Sequence, residues 1–274
     1  MNKSAKMKTL IILILATFSL CAYGQEAKDL FNDGLAKIES NDFQGAIADF
    51  DKVIQLDSND AEAYTNRAFA KAMLEDYPGA MADYNRGILL DPNDADAYAN
   101  RAVAKTRLRD YKGAIDDYTK TIQLDPANAR AYADRGIDKH ELSDRTGALA
   151  DYNKAIELDP NNPATYVNRG VAKNESGDHK GAMADYNKGI ELDPKDLDAY
   201  TNRALTKAIL KDYRGAIADH DMAIELDPKN ANSYFHRGLS KIALDDKEGG
   251  CLDLSKSGEL GLIRAYDSIK KYCK

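Results

Sequence analysis

The residue types best suited to catalysis or metal binding are scarce here, with four histidines and three cysteines. The histidines are His140, His179, His220 and His236. No two of them stand four residues apart, the spacing that lets two imidazoles on one helix share a metal ion. The sequence also lacks a glycine-rich phosphate-binding loop, a nucleophile elbow and a paired catalytic cysteine. We therefore predict no enzymatic activity, no cofactor and no metal site.

The charge balance narrows the class of partner. The chain has 45 acidic and 38 basic side chains, which gives a formal net charge of −7. Duplex affinity depends on clustered Lys and Arg that neutralise phosphates, so an acidic chain is unsuited to nucleic acid. We therefore expect a protein or peptide partner and no nucleic acid.

The first 24 residues have the layout of a secretory signal peptide. Three lysines precede an apolar run over residues 10–20, and the small residues Ala22 and Gly24 follow it. This layout predicts cleavage before Gln25. The apolar run is shorter than the roughly 20 residues of a membrane-spanning helix.

The signal segment, residues 1–24, predicts an exported protein that is periplasmic or secreted, most simply bacterial. One alternative is that the segment stays in place as a membrane anchor. Another is a lipoprotein modified at Cys21, which the bulky Leu20 before that cysteine disfavours. No later stretch is apolar enough to span a membrane after cleavage.

Proline marks a strict internal period. Five of the seven prolines follow one another at intervals of 34 residues, each in a Leu-Asp-Pro triplet. They are Pro92, Pro126, Pro160, Pro194 and Pro228. The period predicts seven repeats, the last of them degenerate, and "position n" below is the nth residue of a repeat. The repeats are residues 27–60, 61–94, 95–128, 129–162, 163–196, 197–230 and 231–264.

Each repeat has the pattern of two helices. Positions 4, 8 and 11 share one helix face and are usually an aromatic residue, a Gly or Ala, and a lysine. Aspartate at position 16 can cap a second helix, which carries a small residue at position 20 and a large one at position 24. The Leu-Asp-Pro triplet ends that helix, because proline cannot continue it.

Small residues at positions 8 and 20, aromatic residues at 4, 17 and 24, and proline at 32 resemble the tetratricopeptide repeat. Ser58 in place of proline and His220 in place of an aromatic residue depart from the pattern. The resemblance implies an all-α, right-handed superhelical solenoid of seven helix pairs over residues 27–264. First helices would line a concave groove that binds peptides or protein segments. We read residues 265–274 as a C-terminal capping helix.

Position 6 supplies the first candidates for peptide binding. It is asparagine in five repeats, and an amide offers a donor and an acceptor to any extended backbone. The row is Asn32, Asn66, Asn100, Asp134, Asn168, Asn202 and His236. The alternative is that these side chains bond only to neighbouring helices or to water.

Other groove candidates come from positions 2, 9 and 13. Position 9 is apolar in every repeat, so Phe69 is expected to pack in the core and to expose any remainder to a ligand. Met73 and Arg107 stand at position 13, and Arg130 stands at position 2. The two arginines are candidates for meeting an acidic group, unless they are simply solvated.

Two charged positions do not vary between repeats, lysine at position 11 and aspartate at position 23. A charge on a packing face must be paired or must extend past that face to solvent. We therefore predict that the lysines form ion pairs across the helix pair or extend beyond it. The arginine at position 7 can join them.

Cys251, in the last repeat, and Cys273, near the end of the chain, remain after cleavage. In an oxidising compartment they could form a disulfide between the capping helix and the final repeat, worth about 3 kcal/mol. The alternative is two free thiols.

The sequence thus predicts an exported, non-catalytic scaffold that binds a protein or peptide in its concave groove. The alternative function is a structural or assembly component of an envelope complex, acting through its convex face or its ends.

Overall fold

The computed structural model describes residues 24–273, and these residues form helices joined by turns. They contain fifteen helices, and no β-strand occurs in this part of the chain. The prediction of an all-α solenoid of helix pairs is confirmed.

The helices alternate between a first and a second helix of each repeat. The first helices are α1 (helical residues 24–39), α3 (Ala61–Met73), α5 (Ala95–Arg107), α7 (Ala129–Glu141), α9 (Pro163–Glu175), α11 (Leu197–Ile209) and α13 (Ala231–Ala243). The second helices are α2 (Phe43–Leu56), α4 (Tyr77–Leu90), α6 (Tyr111–Leu124), α8 (Arg145–Leu158), α10 (His179–Leu192), α12 (Tyr213–Leu226) and α14 (Lys247–Glu259). A last helix, α15 (Arg264–Tyr272), follows.

Aspartate at position 16 caps every second helix, as predicted. The Asp144 carboxylate, for example, accepts a hydrogen bond of 2.9 Å from the backbone N–H of Gly147. The bond satisfies an N–H group that has no partner within the helix. A Cβ atom on Gly147 would lie 2.1 Å from a carboxylate oxygen of Asp144. The cap therefore explains the glycine that recurs three residues after it.

The turn within each helix pair contains a residue with left-handed backbone, at position 15. The seven residues are Asn41, Glu75, Arg109, Ser143, Gly177, Lys211 and Asp245. Only one of them is glycine, although a side chain disfavours this conformation by roughly 1–2 kcal/mol. Packing of the helices on either side must therefore hold these turns.

The small residue at position 8 makes room for the large residue at position 24. A Cβ atom on Gly170 would lie 2.6 Å from the ring of Tyr186. Tyr186 is buried in one apolar cluster with Ala199 of the next repeat. The position-24 residue thus packs within its own repeat and against the following one.

The described residues fall into two compact units, which divide between Ala127 and Asn128. The N-terminal unit contains α1 to α6, and the C-terminal unit contains α7 to α15. Successive first helices contact one another within each unit, for example α3 with α5 and α9 with α11. The first helices therefore form one continuous side of each unit.

Helix α15 covers the end of the last helix pair. Its Ile269 packs with Leu262 against the buried Leu254. A disulfide joins Cys251 on α14 to Cys273, with 5.8 Å between their Cα atoms and a sequence separation of 22 residues.

Reduction of this disulfide is expected to lower the free energy of unfolding by about 3 kcal/mol, because the unfolded chain gains conformational freedom without the cross-link. Urea unfolding with and without a reductant measures the difference. The double variant Cys251→Ser, Cys273→Ser should show the lower stability under both conditions. A wild-type midpoint that does not respond to the reductant would contradict the prediction.

Among the helices of residues 24–273, none is both long and apolar enough to reach across a bilayer. The predicted signal segment falls on residues 1–24, of which all but Gly24 lie outside the described residues.

Candidate functional site

The N-terminal unit has a groove between the exposed faces of its first helices. A cavity of about 770 Å³ lies there, lined by Asn66 and Phe69 of α3 and by Asn100 of α5. We call its surface the N-terminal groove, defined by Leu35, Ile38, Glu39, Glu62, Asn66, Phe69, Asp91, Asp94, Asp96 and Asn100. The structure thus brings three of the predicted site residues together.

A second cavity, of about 870 Å³, adjoins this groove at Glu62, which lines both. Asn32, Lys28 and Phe31 of α1 also line the second cavity. The asparagine row of the N-terminal unit therefore faces two adjoining cavities.

Asn66 also bonds within the protein, as expected if the position-6 side chains did not bind a peptide. Its side-chain amide donates a hydrogen bond of 2.9 Å to the backbone carbonyl of Glu62, on the same helix. This bond uses one of the two amide hydrogens. The side chain keeps capacity to donate to a ligand and to accept from it.

Seven of the eleven predicted groove residues lie apart from these two cavities, among them Arg130, Asp134, Met73 and Arg107. Arg130 pairs with Asp134, four residues along α7, at 3.4 Å between side-chain atoms. Met73 ends α3 and Arg107 ends α5, and both are exposed to solvent. Arg107 lies in the N-terminal unit and Arg130 in the C-terminal unit.

In the C-terminal unit, Asn168 and Asn202 are half-buried on α9 and α11. His236 of α13 lines a cavity of about 330 Å³ together with His220 and Ser233. The position-6 row therefore reaches a third, smaller cavity.

His220 stands where four other repeats carry tyrosine. Its side chain is buried, and neither ring nitrogen has a hydrogen-bond partner within residues 24–273. The ring stacks on that of His236, with 6.0 Å between centroids. Burial lowers the pKa of both histidines to about 4, so both are neutral at pH 7. The sequence showed the substitution but not the cavity beside it.

Ser233 lies against the same cavity, and its hydroxyl likewise lacks a partner in the described part of the chain. Over the same residues, no group of three or more His, Cys, Asp or Glu side chains is arranged to hold a metal ion.

The invariant lysine and aspartate form an ion pair across the helix pair in every repeat, which confirms the prediction. In the fifth repeat, Asp185 accepts a bond of 2.8 Å from Lys173 and bonds of 2.6 and 2.9 Å from Arg169. The pairs are Lys37 with Asp49, Lys71 with Asp83, Lys105 with Asp117, Lys139 with Asp151, Lys173 with Asp185, Lys207 with Asp219, and Lys241 with Asp253.

The arginine at position 7 also reaches the preceding repeat, a contact that sequence reasoning missed. Arg169 donates a hydrogen bond of 2.8 Å to the side-chain oxygen of Asn153, and Arg203 bonds in the same way to Asn187. Arg169 also lies over the ring of Tyr166, 5.6 Å from its centroid. Asn or Asp at position 25 was the available signal. These contacts hold successive repeats together.

Comparison with protein families gives matches in both units. A family described as "TPR repeat" matches residues 34–75 and 139–174, and two described as "Tetratricopeptide repeat" match 95–128 and 163–196. Over residues 34–75, 95–128 and 139–196 the chain matches the tetratricopeptide repeat. Proteins built of tetratricopeptide repeats are generally non-catalytic scaffolds for protein–protein interaction.

Several solved tetratricopeptide structures are similar to this chain. YrrB, described as "a TPR protein with an unusual peptide-binding site", is 25% identical with a TM-score of 0.58, and the match covers 67% of this chain and 95% of YrrB. MamA is 25% identical with a TM-score of 0.56, over 59% of this chain and 95% of MamA. A tetratricopeptide repeat protein from Parabacteroides merdae is 20% identical with a TM-score of 0.67, over 91% of this chain and 100% of that one. No curated protein matches the chain.

Proposed function

We propose that this protein is a non-catalytic scaffold that binds an extended peptide or protein segment along the side formed by its first helices. The N-terminal groove carries the proposal, because Asn66 and Asn100 share one cavity with the half-buried ring of Phe69. Amides pair with the backbone of any peptide, and the ring adds an apolar contact. The likeness to YrrB, which is described as having a peptide-binding site, supports this function.

We further propose that the protein acts outside the cytoplasm, in the periplasm or as a secreted protein. The signal-like residues 1–24 support export. The disulfide between Cys251 and Cys273 also supports it, because such bonds persist in oxidising compartments.

A structural role in an envelope assembly is the second candidate function. Large apolar side chains exposed away from the groove favour it, among them Leu89 on α4, Leu252 on α14 and Ile263 before α15. Scattered apolar side chains are common on protein surfaces, so groove binding is the stronger proposal.

Peptide binding to the double variant Asn66→Ala, Asn100→Ala tests the groove. A fluorescently labelled peptide selected from a random library should bind the variant about tenfold more weakly, since two hydrogen bonds of roughly 0.5–1.5 kcal/mol are lost. Anisotropy titration measures the affinity. Asn161→Ala, an exposed loop asparagine, is the control and should bind like the wild type. Unchanged binding by the double variant would favour the second candidate function.

A further inference from the structure

The N-terminal groove combines an apolar floor with an acidic rim. Leu35, Ile38 and Phe69 are half-buried and present apolar surface to the cavity. Acidic side chains contributed by α1, α3, α5 and the loop before α5 surround them. They are Glu39, Glu62, Asp91, Asp94 and Asp96. No lysine or arginine lines this cavity among the described residues.

The negative charge of this rim is not neutralised within the described chain. Glu39, Glu62 and Asp96 are exposed and take part in none of the ion pairs among residues 24–273. Of the cations on α1 and α3, Arg67 and Lys71 both bond to Asp83, at 2.6 and 2.7 Å, while Lys28 lines the adjoining cavity.

The other two acidic residues are held in place by the backbone. Asp91 accepts a hydrogen bond of 2.9 Å from the N–H of Asn93, and Asp94 accepts one of 2.9 Å from Ala97. Both carboxylates therefore remain fixed at the edge of the groove and add to its negative potential.

The C-terminal unit is less acidic at position 2 than the N-terminal unit. At position 2 it carries Ala164, Asp198 and Asn232, and its Arg130 is paired with Asp134. At position 13, Glu141 is exposed, whereas Glu175 is bonded to His140 at 3.0 Å and to Arg145 at 3.2 Å. Acidic residues at position 2 of two successive repeats, Glu62 and Asp96, thus occur in the N-terminal unit and not in the C-terminal unit.

From these observations we infer that the N-terminal groove selects a basic segment, one in which Lys or Arg residues alternate with apolar ones. The inference rests on the proposed function and specifies its partner. In an extended segment neighbouring side chains point in different directions, so apolar residues can meet the floor while long basic side chains reach the rim. Complementary charge speeds association and rejects acidic segments.

The test compares three labelled peptides with the same apolar residues and with Lys, Gln or Glu at the alternate positions. At low ionic strength the Lys peptide should bind the purified protein at least about tenfold more tightly than the Gln peptide. The Glu peptide should bind most weakly, and the differences should shrink as salt is added.

In the double variant Glu62→Gln, Asp96→Asn, the ratio of the affinities for the Lys and Gln peptides should fall about fivefold. Asp198→Asn is the matched control, since Asp198 also stands in the first turn of a first helix but lies in the C-terminal unit. It should leave the preference unchanged. Circular dichroism melting checks that all variants remain folded.

Equal binding of the Lys and Gln peptides would overturn the charge inference. If the affinity for both peptides still fell in the double variant Asn66→Ala, Asn100→Ala, the proposal of peptide binding in the groove would stand without the preference for basic segments. Binding of none of the three peptides would overturn both proposals. If Asp198→Asn reduced the preference for the Lys peptide as much as the double variant Glu62→Gln, Asp96→Asn does, the N-terminal groove would also be rejected as the source of that preference.

Discussion

Replacing Asp185 by alanine is expected to lower the free energy of unfolding by about 3–5 kcal/mol. The side chain of Asp185 is only 5% exposed and accepts bonds from both Lys173 and Arg169. Its removal leaves two partly buried cations without their partner, and an unpaired charge away from water is strongly unfavourable. Urea denaturation followed by circular dichroism measures the loss.

A surface pair on the same helix provides the control. Lys188 and Glu191 on α10 are 2.7 Å apart, but their side chains are 38% and 68% exposed. Glu191→Ala should therefore reduce stability by less than about 1 kcal/mol. If Asp185→Ala lowered stability no more than Glu191→Ala does, the network in each repeat would not be a main source of stability.

Acidification is expected to destabilise the protein through its buried histidines. An exposed histidine has a pKa of about 6.5, whereas burial, helped by the charge of the other histidine, holds the pKa of His220 at about 4. Between these values the unfolded chain binds a proton that the folded protein does not bind. Stability should therefore be complete above pH 6.5, fall as the pH drops towards 4, and be lower by about 3 kcal/mol there for this group alone.

Charges around the two rings modify this effect without reversing it. Asp219 favours the protonated form of His220, while Arg237 opposes it, and Arg264 opposes protonation of His236. Because His236 is also held at a pKa of about 4, both groups destabilise the fold over the same range of pH.

The variant His220→Tyr places at position 24 the residue that four other repeats carry there. Its free energy of unfolding should fall less steeply between pH 6.5 and 4 than that of the wild type. His179→Gln is the control, since His179 lies near the surface and its ring bonds to Asn174 at 2.7 Å. If the free energy of unfolding fell equally steeply with falling pH in the wild type and in His220→Tyr, His220 would not be a source of the destabilisation by acid.

Features that depend on one residue type at the same position of every repeat could be predicted from the sequence. The cap at Asp144 and the pair of Lys173 with Asp185 follow from local rules of helix capping and charge burial, applied once per repeat. The left-handed turn residues gave no such signal. Asn41, Glu75 and Lys211 share no side-chain chemistry, and their conformation is imposed by the helices that they connect.

The candidate site could be predicted only in part. Helical periodicity placed Asn66, Phe69 and Asn100 on one surface, as the structure shows. The acidic rim could not be derived in this way, because Glu39 comes from the end of one repeat's first helix and Asp91 from the loop of another. Likewise, Arg130 was a candidate for meeting an acidic group because the sequence does not show its partner. In the structure it pairs with Asp134 on the same helix.

The hydrogen bond from the arginine at position 7 to the preceding repeat has a consequence for how the number of repeats can change. In the C-terminal unit, Arg203 meets Asn187, and one copy earlier Arg169 meets Asn153. Loss of residues 163–196 would bring Arg203 opposite Asn153, which is the same residue type as Asn187. The new junction between repeats would therefore have the same hydrogen bond as the old one. Duplication or loss of a whole copy therefore needs no compensating substitution at this joint.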